Sequence, residues 1–286
     1  MKIYLDGKFV NKEDAKISVY DHGLLYGDGV FEGIRAYSGV VFKLNEHIDR
    51  LYDSANSLQL NIPISKEEMC EIVKNTLIEN NLEDAYIRLV VTRGVGDLGL
   101  DPRKCPNPTI FCIAEPMNPL LGEEGIKVIT SSIRRLPVDV LNPAVKSLNY
   151  LNSILAKIQA NYANCNEALL LDSEGYVAEG TGDNIFVIKN GIIKTPPISS
   201  SVLKGITRDT VVELAKNLGY NVVEEKLTLH DIYVADEFFI TGTAVELAHV
   251  VEVDGRIINN GKMGDITKKL KEEFIKIRKN NGVKIK

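Results

Sequence analysis

A segment rich in proline and glycine, PMNPLLGEEG at positions 116–125, divides this chain near its middle. A chain of 286 residues is long for a single hydrophobic core, and segments of this composition commonly mark domain boundaries. We therefore predict a small domain over residues 1–118, a linker over 119–125 and a larger domain over 126–286.

Both predicted domains mix strands and helices without regular alternation. In the first, apolar residues predict a hairpin of strands 30–37 and 40–44 around Ser38-Gly39, and Ser65-x-x-Glu68 is a capping box that opens a helix. In the second, a helix after position 150 carries an apolar stripe: Leu151, Ile154, Leu155, Ile158 and Tyr162. This mixture predicts an α+β, or mixed α/β, architecture.

Composition argues against several classes of protein. The net charge of −5 gives no basic surface for nucleic acid, and no apolar run approaches the ~20 residues that span a bilayer. The N-terminus leads into a strand without an apolar signal region, so we expect a cytoplasmic protein. Four cysteines and four histidines show no metal-ligand spacing, and no metal site is expected.

A lysine, a carboxylate and an anion-binding turn follow one another in the second half of the chain. They are Lys146, Glu179 in the glycine-bearing run EGTGDN, and Gly205-Ile206-Thr207 at the start of a helix. The first N–H groups of a helix attract an anion. Pyridoxal phosphate needs a lysine amine for its aldehyde, an acid at its ring nitrogen and N–H donors for its phosphate. The combination predicts this cofactor.

The same residues lie within longer motifs. The run Glu179-x-Thr-x-x-Asn184-Ile-Phe186, followed by Leu203-x-Gly205-Ile206-x-Arg208, resembles the signature of the class IV aminotransferases. Further blocks resemble branched-chain amino acid aminotransferases: FEGIR at 31–35, HIDR at 47–50, KSLNY at 146–150 and TGTA at 241–244. The likeness covers nearly the whole chain. It implies the two-domain fold type IV of pyridoxal phosphate enzymes, as in D-amino acid aminotransferases, with the cofactor between the domains.

The resemblance implies a role for each matching residue. Lys146 is the catalytic amine. The implied cofactor ligands are Glu179 at the ring nitrogen, Tyr150 at the phenolic oxygen, Arg50 reaching the phosphate, Gly205, Ile206, Thr207 and Thr243. The implied substrate-binding residues are Tyr26, Phe31, Tyr86, Arg88, Thr243 and Ala244. Among them, Arg88 would take the distal carboxylate of glutamate, and the turn at 243–244 would take the α-carboxylate.

Several of these residues keep a second interpretation. Arg50 lies on the helix face opposite Ile48 and Leu51, so it could be a solvent-exposed arginine. Tyr150 could pack on the helix core, and Thr207 could be a plain N-cap. The turn at 243–244 could be satisfied by its own hydrogen bonds, and the pocket residues could be core aromatics and surface cations. Lys157, the rival to Lys146, lies off the apolar stripe and is predicted to be solvated.

The predicted activity is transamination between leucine, isoleucine or valine and 2-oxoglutarate, giving branched-chain 2-oxo acids and L-glutamate, in a homodimer or a hexamer built as a trimer of dimers. A D-amino acid aminotransferase and an aminodeoxychorismate lyase stay open as alternatives. Leu98 and Leu100 occupy a loop where D-specific relatives carry a basic carboxylate trap, which favours L-substrates, although Arg93 and Arg103 lie nearby.

Two further classes are disfavoured. A nucleotide-dependent oxidoreductase would need a dinucleotide fingerprint, but Gly27-x-Gly29-x-x-x-Gly33 departs from that spacing and runs into a strand. A non-catalytic metabolite-binding protein would have no need of a lysine with an acid partner.

Overall fold

The computed structural model describes residues 1–117 and 124–286, and the chain forms two compact units. Unit 1 contains residues 1–117, 145–149 and 278–286, and unit 2 contains residues 124–144 and 150–277. Most of the predicted linker, 119–125, lies outside the described residues. Two segments beyond the predicted boundary therefore belong to unit 1.

Regular elements cover most of the described chain. The strands are β1 (Lys2–Leu5), β2 (Lys8–Asn11), β3 (Gly29–Tyr37), β4 (Val40–Phe42), β5 (Ala85–Thr92), β6 (Thr109–Glu115), β7 (Ile126–Arg134), β8 (Glu167–Leu171), β9 (Val177–Glu179), β10 (Asn184–Lys189), β11 (Ile192–Thr195), β12 (Val222–Glu224), β13 (Glu237–Gly242), β14 (Glu246–Val253), β15 (Arg256–Ile257) and β16 (Gly282–Lys284). The α-helices are α1 (His22–Tyr26), α2 (Leu44–Ser57), α3 (Lys66–Glu79), α4 (Leu151–Tyr162), α5 (Ile206–Asn217), α6 (Leu229–Tyr233) and α7 (Asp265–Ile277). Short 3-10 helices lie at Lys12–Asp14, Pro102–Lys104 and Asn259–Gly261.

Unit 1 is built on one antiparallel sheet with the strand order β16-β4-β3-β5-β6-β1-β2. The hairpin β3–β4 turns at Ser38 and Gly39, both with positive φ, which confirms the predicted turn. Helix α3 begins at the predicted capping box of Ser65 and Glu68. Apolar residues of α2 and α3 pack on one sheet face and form a single core with Ile34 and its strand neighbours.

Segment 145–149 joins unit 1 through backbone hydrogen bonds to β3. The N–H of Phe31 donates to the carbonyl of Lys146 at 3.1 Å, and the N–H of Leu148 donates to the carbonyl of Gly29 at 2.9 Å. The C-terminal strand β16 joins the same sheet by antiparallel pairing with β4. The sheet of unit 1 thus recruits two stretches that are distant in sequence.

Unit 2 contains a mixed sheet in the order β12-β11-β10-β13-β14-β7-β8-β9, with β15 paired to β14. The pairs β11–β12, β14–β7 and β7–β8 are parallel, and the remaining pairs are antiparallel. Irregular strand directions with interspersed helices confirm the mixed α+β architecture expected from the sequence. Within the described residues, no helix is both long and apolar enough to cross a membrane.

Helix α4 lies where the sequence predicts a helix, but its apolar stripe is not its buried face. Its buried residues are Ser153, Ala156 and Ala160, whereas Leu151 and Tyr162 of the apolar stripe are 65% and 86% exposed. Small side chains let the helix approach Ala168 and Leu170 of β8 closely, and the large apolar side chains are left outside.

Lys157 on the same helix is half-buried. Its amine lies 3.1 Å from the carboxylate of the buried Glu167. The Lys157 side chain is thus partly exposed, in keeping with the predicted solvation, and it pairs with an acidic residue at the start of β8.

Candidate active site

Lys146 is held in unit 1 through its backbone. Its N–H donates to the hydroxyl of the buried Ser54 on α2 at 3.1 Å, and its carbonyl accepts from Phe31 on β3. The side chain amine lies 4.4 Å from the centroid of the Phe31 ring. Two elements of the unit 1 core therefore fix the backbone from which this amine projects.

The same ring also contacts an arginine. The guanidinium carbon of Arg88 lies 4.6 Å from the Phe31 centroid and 5.5 Å from the Tyr86 centroid, and its Nη2 donates to the Tyr86 hydroxyl at 2.8 Å. In the β3–β5 register, Gly33 pairs with Arg88, and a Cβ at Gly33 would collide with the Tyr86 hydroxyl. Arg88 therefore contacts both Phe31 and Tyr86, two further residues of the implied substrate-binding set.

Arg88 differs from Arg50, Arg93, Arg135 and Arg208, which each pair with a carboxylate, because it forms no ion pair with the residues that the structure describes. Its Nε is buried and has no hydrogen-bond acceptor within that part of the chain. A desolvated guanidinium donor without an acceptor is suited to an anionic ligand group.

Arg50 is bound to a buried carboxylate. Its Nε and Nη2 donate to the two oxygens of Glu32, each at 2.7 Å, and His47 Nδ1 lies 2.7 Å from Glu32 Oε2. The Arg50 side chain is 14% exposed, so the solvent-exposed interpretation is wrong. The reason is that Glu32 lies under α2 and draws the guanidinium inward.

The charge states of this cluster follow from burial and pairing. The Arg50 and His47 neighbours outweigh the cost of burial and lower the pKa of Glu32 to about 2. Burial lowers the pKa of His47 below its ordinary value, against the opposing effect of Glu32. At neutral pH the cluster therefore holds a carboxylate, a guanidinium and a neutral imidazole. Because an ionised carboxylate only accepts, His47 carries its proton on Nδ1.

Glu179 ends strand β9 in unit 2 and is buried. Its Oε1 lies 2.6 Å from Arg135 Nη2, and its Oε2 accepts from the N–H of Leu203 at 3.1 Å. Asn184 donates to the Leu203 carbonyl at 2.9 Å and lies 3.4 Å from Glu179 Oε2. Glu179 is thus tied directly to the loop that leads into α5.

That loop ends at an open helix N-terminus. Helix α5 begins at Ile206 with Gly205 as its N-cap, so no side chain caps it, and the plain N-cap role considered for Thr207 is wrong. A Cβ at Gly205 would collide with Asn184 Oδ1, which requires glycine there. Ile206 and Thr207 occupy the first turn, where N–H groups and the helix dipole favour an anion.

The remaining predicted residues lie at turns and helix ends. Thr243 and Ala244 lie in the tight turn between β13 and β14, and Tyr150 is the N-cap residue of α4. Tyr26 ends α1, and its hydroxyl donates to the carbonyl of Leu98 at 2.5 Å.

The structure thus assembles two groups of predicted residues, each within one unit. Unit 1 brings together Lys146, Phe31, Tyr86 and Arg88, with Arg50 on the neighbouring α2. Unit 2 joins Glu179 to the loop that carries Gly205, Ile206 and Thr207.

Four contributing residues escaped the sequence prediction: Glu32, His47, Ser54 and Arg135. A signal existed for Glu32, since it alternates with Val30 and Ile34 on the core face of β3, where a carboxylate requires a buried partner. His47 and Arg50 are three residues apart on one helix and could have been proposed as that partner. No sequence pattern indicates Arg135 or Ser54.

Comparison with known proteins agrees with this geometry. The family model "Amino-transferase class IV" matches residues 29–253. A Methanocaldococcus jannaschii protein with the provisional name branched-chain-amino-acid aminotransferase is 72% identical over 285 residues, covering 100% of this chain and 99% of that protein. The chain therefore belongs to the class IV aminotransferases, a family of pyridoxal-phosphate-dependent enzymes.

Solved structures give the same result. The Escherichia coli branched-chain amino acid aminotransferase superposes with a TM-score of 0.95 at 38% identity, over 98% of this chain and 95% of that chain. The T.th. branched-chain amino acid aminotransferase complexed with N-(5′-phosphopyridoxyl)-L-glutamate gives a TM-score of 0.93 at 40% identity, over 98% of this chain and 94% of that chain. The fold type, the family and the cofactor predicted from the sequence are confirmed.

Proposed function

We propose that this protein transfers amino groups between branched-chain L-amino acids and 2-oxoglutarate with pyridoxal phosphate. The observation that carries the proposal is the hydrogen-bonded set of Glu179, Leu203 and Asn184 beside the uncapped N-terminus of α5. These hydrogen bonds connect Glu179, an acid suited to the ring nitrogen, to the loop before α5, whose N-terminus is suited to a phosphate. The names of the relatives and structural neighbours support the branched-chain substrates.

The residues present fit the cofactor. The ionised carboxylate of Glu179 only accepts, and its two oxygens offer about four lone-pair sites, so it can accept from a pyridinium N–H in addition to Arg135 and the N–H of Leu203. The first-turn N–H groups at Ile206 and Thr207, with Gly205 beside them, would hold the phosphate, together with Arg50 and Thr243. Tyr150 would donate to the ring's phenolic oxygen.

Bound pyridoxal phosphate would supply an electron-withdrawing ring that stabilises negative charge at the substrate α-carbon. Lys146 is the amine that holds the cofactor and then moves the proton at that carbon. Glu179 keeps the proton on the ring nitrogen. The centroid of the Phe31 ring lies 4.4 Å from the Lys146 amine, so the ring restricts the positions that the amine can take.

Substrate recognition is proposed for the aromatic face of unit 1 and for the turn of unit 2. Phe31, Tyr86 and Tyr26 would contact an aliphatic side chain, and Arg88 would bind the distal carboxylate of glutamate. The backbone of Thr243 and Ala244 would bind the α-carboxylate.

The contacts of Arg93 and Arg103, the two arginines near the loop with Leu98 and Leu100, bear on the proposed preference for L-substrates. Arg93 donates to both oxygens of Asp28 and to the carbonyls of Leu58 and Gln59. Arg103 is exposed and paired with Asp101. The Arg93 guanidinium is thus fully engaged by Asp28 and two carbonyl groups, which disfavours it as the carboxylate trap of a D-specific enzyme.

We also propose a cytoplasmic homodimer, or a hexamer built from three dimers. Four free cysteines suit a reducing compartment. Large apolar side chains stand exposed on α4 and at Leu24, Leu98 and Leu100, which leaves surface for self-association. Light scattering on the purified protein would give the number of subunits.

The test is a donor panel on the wild type and on Lys146→Ala. We expect a visible absorption band and transfer from leucine, isoleucine, valine and glutamate in the wild type. Lys146→Ala should lose both the band and turnover while keeping its circular dichroism spectrum. Lys216→Ala, an exposed lysine on α5, is a better control than Lys157→Ala because Lys157 pairs with Glu167.

Three results would contradict the proposal. Normal turnover in Lys146→Ala would show that Lys146 is not the catalytic amine. Transfer from D-amino acids alone would favour the D-specific alternative. Pyruvate release from aminodeoxychorismate without amino transfer would favour the lyase.

A further inference from the structure

Glu32 is a fully buried carboxylate for which the proposed chemistry has no direct use. Strand alternation places it on the core face of β3 with Val30 and Ile34, beneath α2. An ionised carboxylate at such a position is costly unless every oxygen is paired. Here three bonds of 2.7 Å, two from Arg50 and one from His47, provide that pairing.

A single contact from Arg50 would be enough to neutralise Glu32, but Arg50 donates to it through two nitrogen atoms. Binding through both Nε and Nη2 fixes the plane of the guanidinium and hence the direction of the N–H donors outside the pair. His47 in turn holds Glu32 Oε2 from the same helix. The donors of Arg50 are thus oriented before a ligand arrives, which reduces the ordering needed on binding.

We infer that Glu32 and His47 are positioning residues that orient Arg50 for the cofactor phosphate. This inference rests on the proposed role of Arg50 as a phosphate ligand. Neither Glu32 nor His47 would touch the cofactor, and both act through the guanidinium.

The charges of Glu32 and Arg50 also affect how the guanidinium is oriented. With Glu32 ionised and His47 neutral, the carboxylate and the guanidinium balance each other when no phosphate is bound. A Glu32→Gln substitution keeps the shape but removes the carboxylate charge that faces the guanidinium and turns an amide N–H₂ toward one end of its fork. The guanidinium should then rotate away from its present plane.

The experiment compares three ligands with the full chain freed of cofactor: pyridoxal phosphate, inorganic phosphate and pyridoxal. Affinities are measured by absorbance and calorimetric titration for the wild type, Glu32→Gln, Arg50→Ala and the double variant. Pyridoxal lacks the phosphate and so separates a role at the phosphate from a general effect on the fold.

For Glu32→Gln we expect pyridoxal phosphate and inorganic phosphate to bind roughly 10- to 100-fold more weakly, the range for losing an outer partner of a binding residue. Pyridoxal should bind as it does to the wild type. Arg50→Ala should weaken both phosphate ligands, and adding Glu32→Gln to it should cause no further loss, because the two changes act through one contact.

A variant without Glu32 could fail to fold, so two more proteins complete the test. His47→Phe keeps a ring of similar shape but lacks the Nδ1 donor to Glu32, and Nε2 with it, and should give a smaller loss with the same selectivity for the phosphate ligands. Thr76→Val, a buried hydroxyl of α3 bonded to the Ile72 carbonyl, is the matched control and should leave all three affinities unchanged.

Each contrary outcome has a distinct meaning. Equal losses for pyridoxal and pyridoxal phosphate would make the cluster merely structural and overturn the positioning role. A Glu32→Gln loss that persists in the Arg50→Ala background would do the same. If Arg50→Ala weakens phosphate binding but Glu32→Gln and His47→Phe do not, only the positioning role is wrong. If Arg50→Ala changes nothing, the proposed phosphate role of Arg50 is wrong and the positioning role falls with it.

Discussion

Replacing Arg88 by alanine should separate the two substrate classes. The guanidinium contacts the Phe31 and Tyr86 rings and donates to the Tyr86 hydroxyl, but it has no carboxylate partner among the described residues. If glutamate supplies that partner, Arg88→Ala should cost roughly 2–5 kcal/mol in kcat/KM for glutamate and 2-oxoglutarate, or roughly 30- to 5,000-fold. This is the range for truncating one member of a desolvated charge pair.

Leucine should lose much less. It offers no charge to Arg88, so its loss should be limited to the packing and cation–π contribution of the guanidinium over the rings, about 1 kcal/mol. The expected discrimination between the two donors is therefore at least several-fold and extends to three orders of magnitude.

The assay is kcat/KM for L-glutamate and L-leucine in the wild type, Arg88→Ala and Arg88→Met, which keeps an apolar stem over the Phe31 ring. Arg103→Ala, which removes an exposed arginine paired with Asp101, is the matched control. Equal losses for both donors would mean that Arg88 supports the structure or the cofactor. A loss confined to leucine would overturn the pocket and leave Arg35 as the next candidate.

Two more predictions follow from the buried carboxylates. Glu179→Gln should raise the barrier to turnover by about 3 kcal/mol, the scale of one preorganised electrostatic contact, and unchanged single-turnover rates would place the acid elsewhere. Because the pKa of Glu32 is lowered from 4.5 to about 2, its ionised form stabilises the fold above pH 4.5, and this stabilisation is lost as pH falls toward 2. The shift corresponds to about 3 kcal/mol, so denaturant unfolding should show the wild type losing its advantage over Glu32→Gln across that window, and a pH-independent difference would contradict the ionisation.

The sequence was sufficient for elements whose local chemistry is unambiguous. The Ser38-Gly39 turn and the Ser65 capping box depend on neighbouring residues and were predicted correctly. The fold type came from motif blocks and their order. By contrast, the recruitment of segment 145–149 to the sheet of unit 1 depends on backbone hydrogen bonds to β3 that leave no trace in composition.

Helix α4 shows why periodicity can mislead. Its apolar residues recur at helical spacing and correctly predict a helix, but the small residues of the other face make the contacts with β7 and β8. Periodicity identifies the apolar face of a helix, but it does not show whether other residues of the same chain pack against that face.

The sequence could propose residues of the candidate site where a motif contains them, and it did not propose residues whose contacts are only with other side chains of the site. Lys146, Glu179 and Gly205 stand inside motif blocks. Glu32 also stands inside one, in Phe31-Glu-Gly-Ile-Arg35, and its place on the core face of β3 calls for a buried partner, but the packing of β3 against α2 is needed to show that Arg50 pairs with it at 2.7 Å. Pairing of this kind is a tertiary property.

The arginines of this chain suggest how one pocket could accept both an apolar and an acidic side chain. Arg50, Arg93, Arg135 and Arg208 each have a carboxylate partner within the chain, at 2.6–2.9 Å. Arg88 has aromatic rings instead. Rings that stabilise the guanidinium by cation–π contact also offer an apolar surface, so an aliphatic side chain can pack on them without displacing an ion pair. A carboxylate can approach the same guanidinium without competing with an anion from the described part of the chain. Arg88 is thus a cation of the kind that a dual-substrate pocket would need.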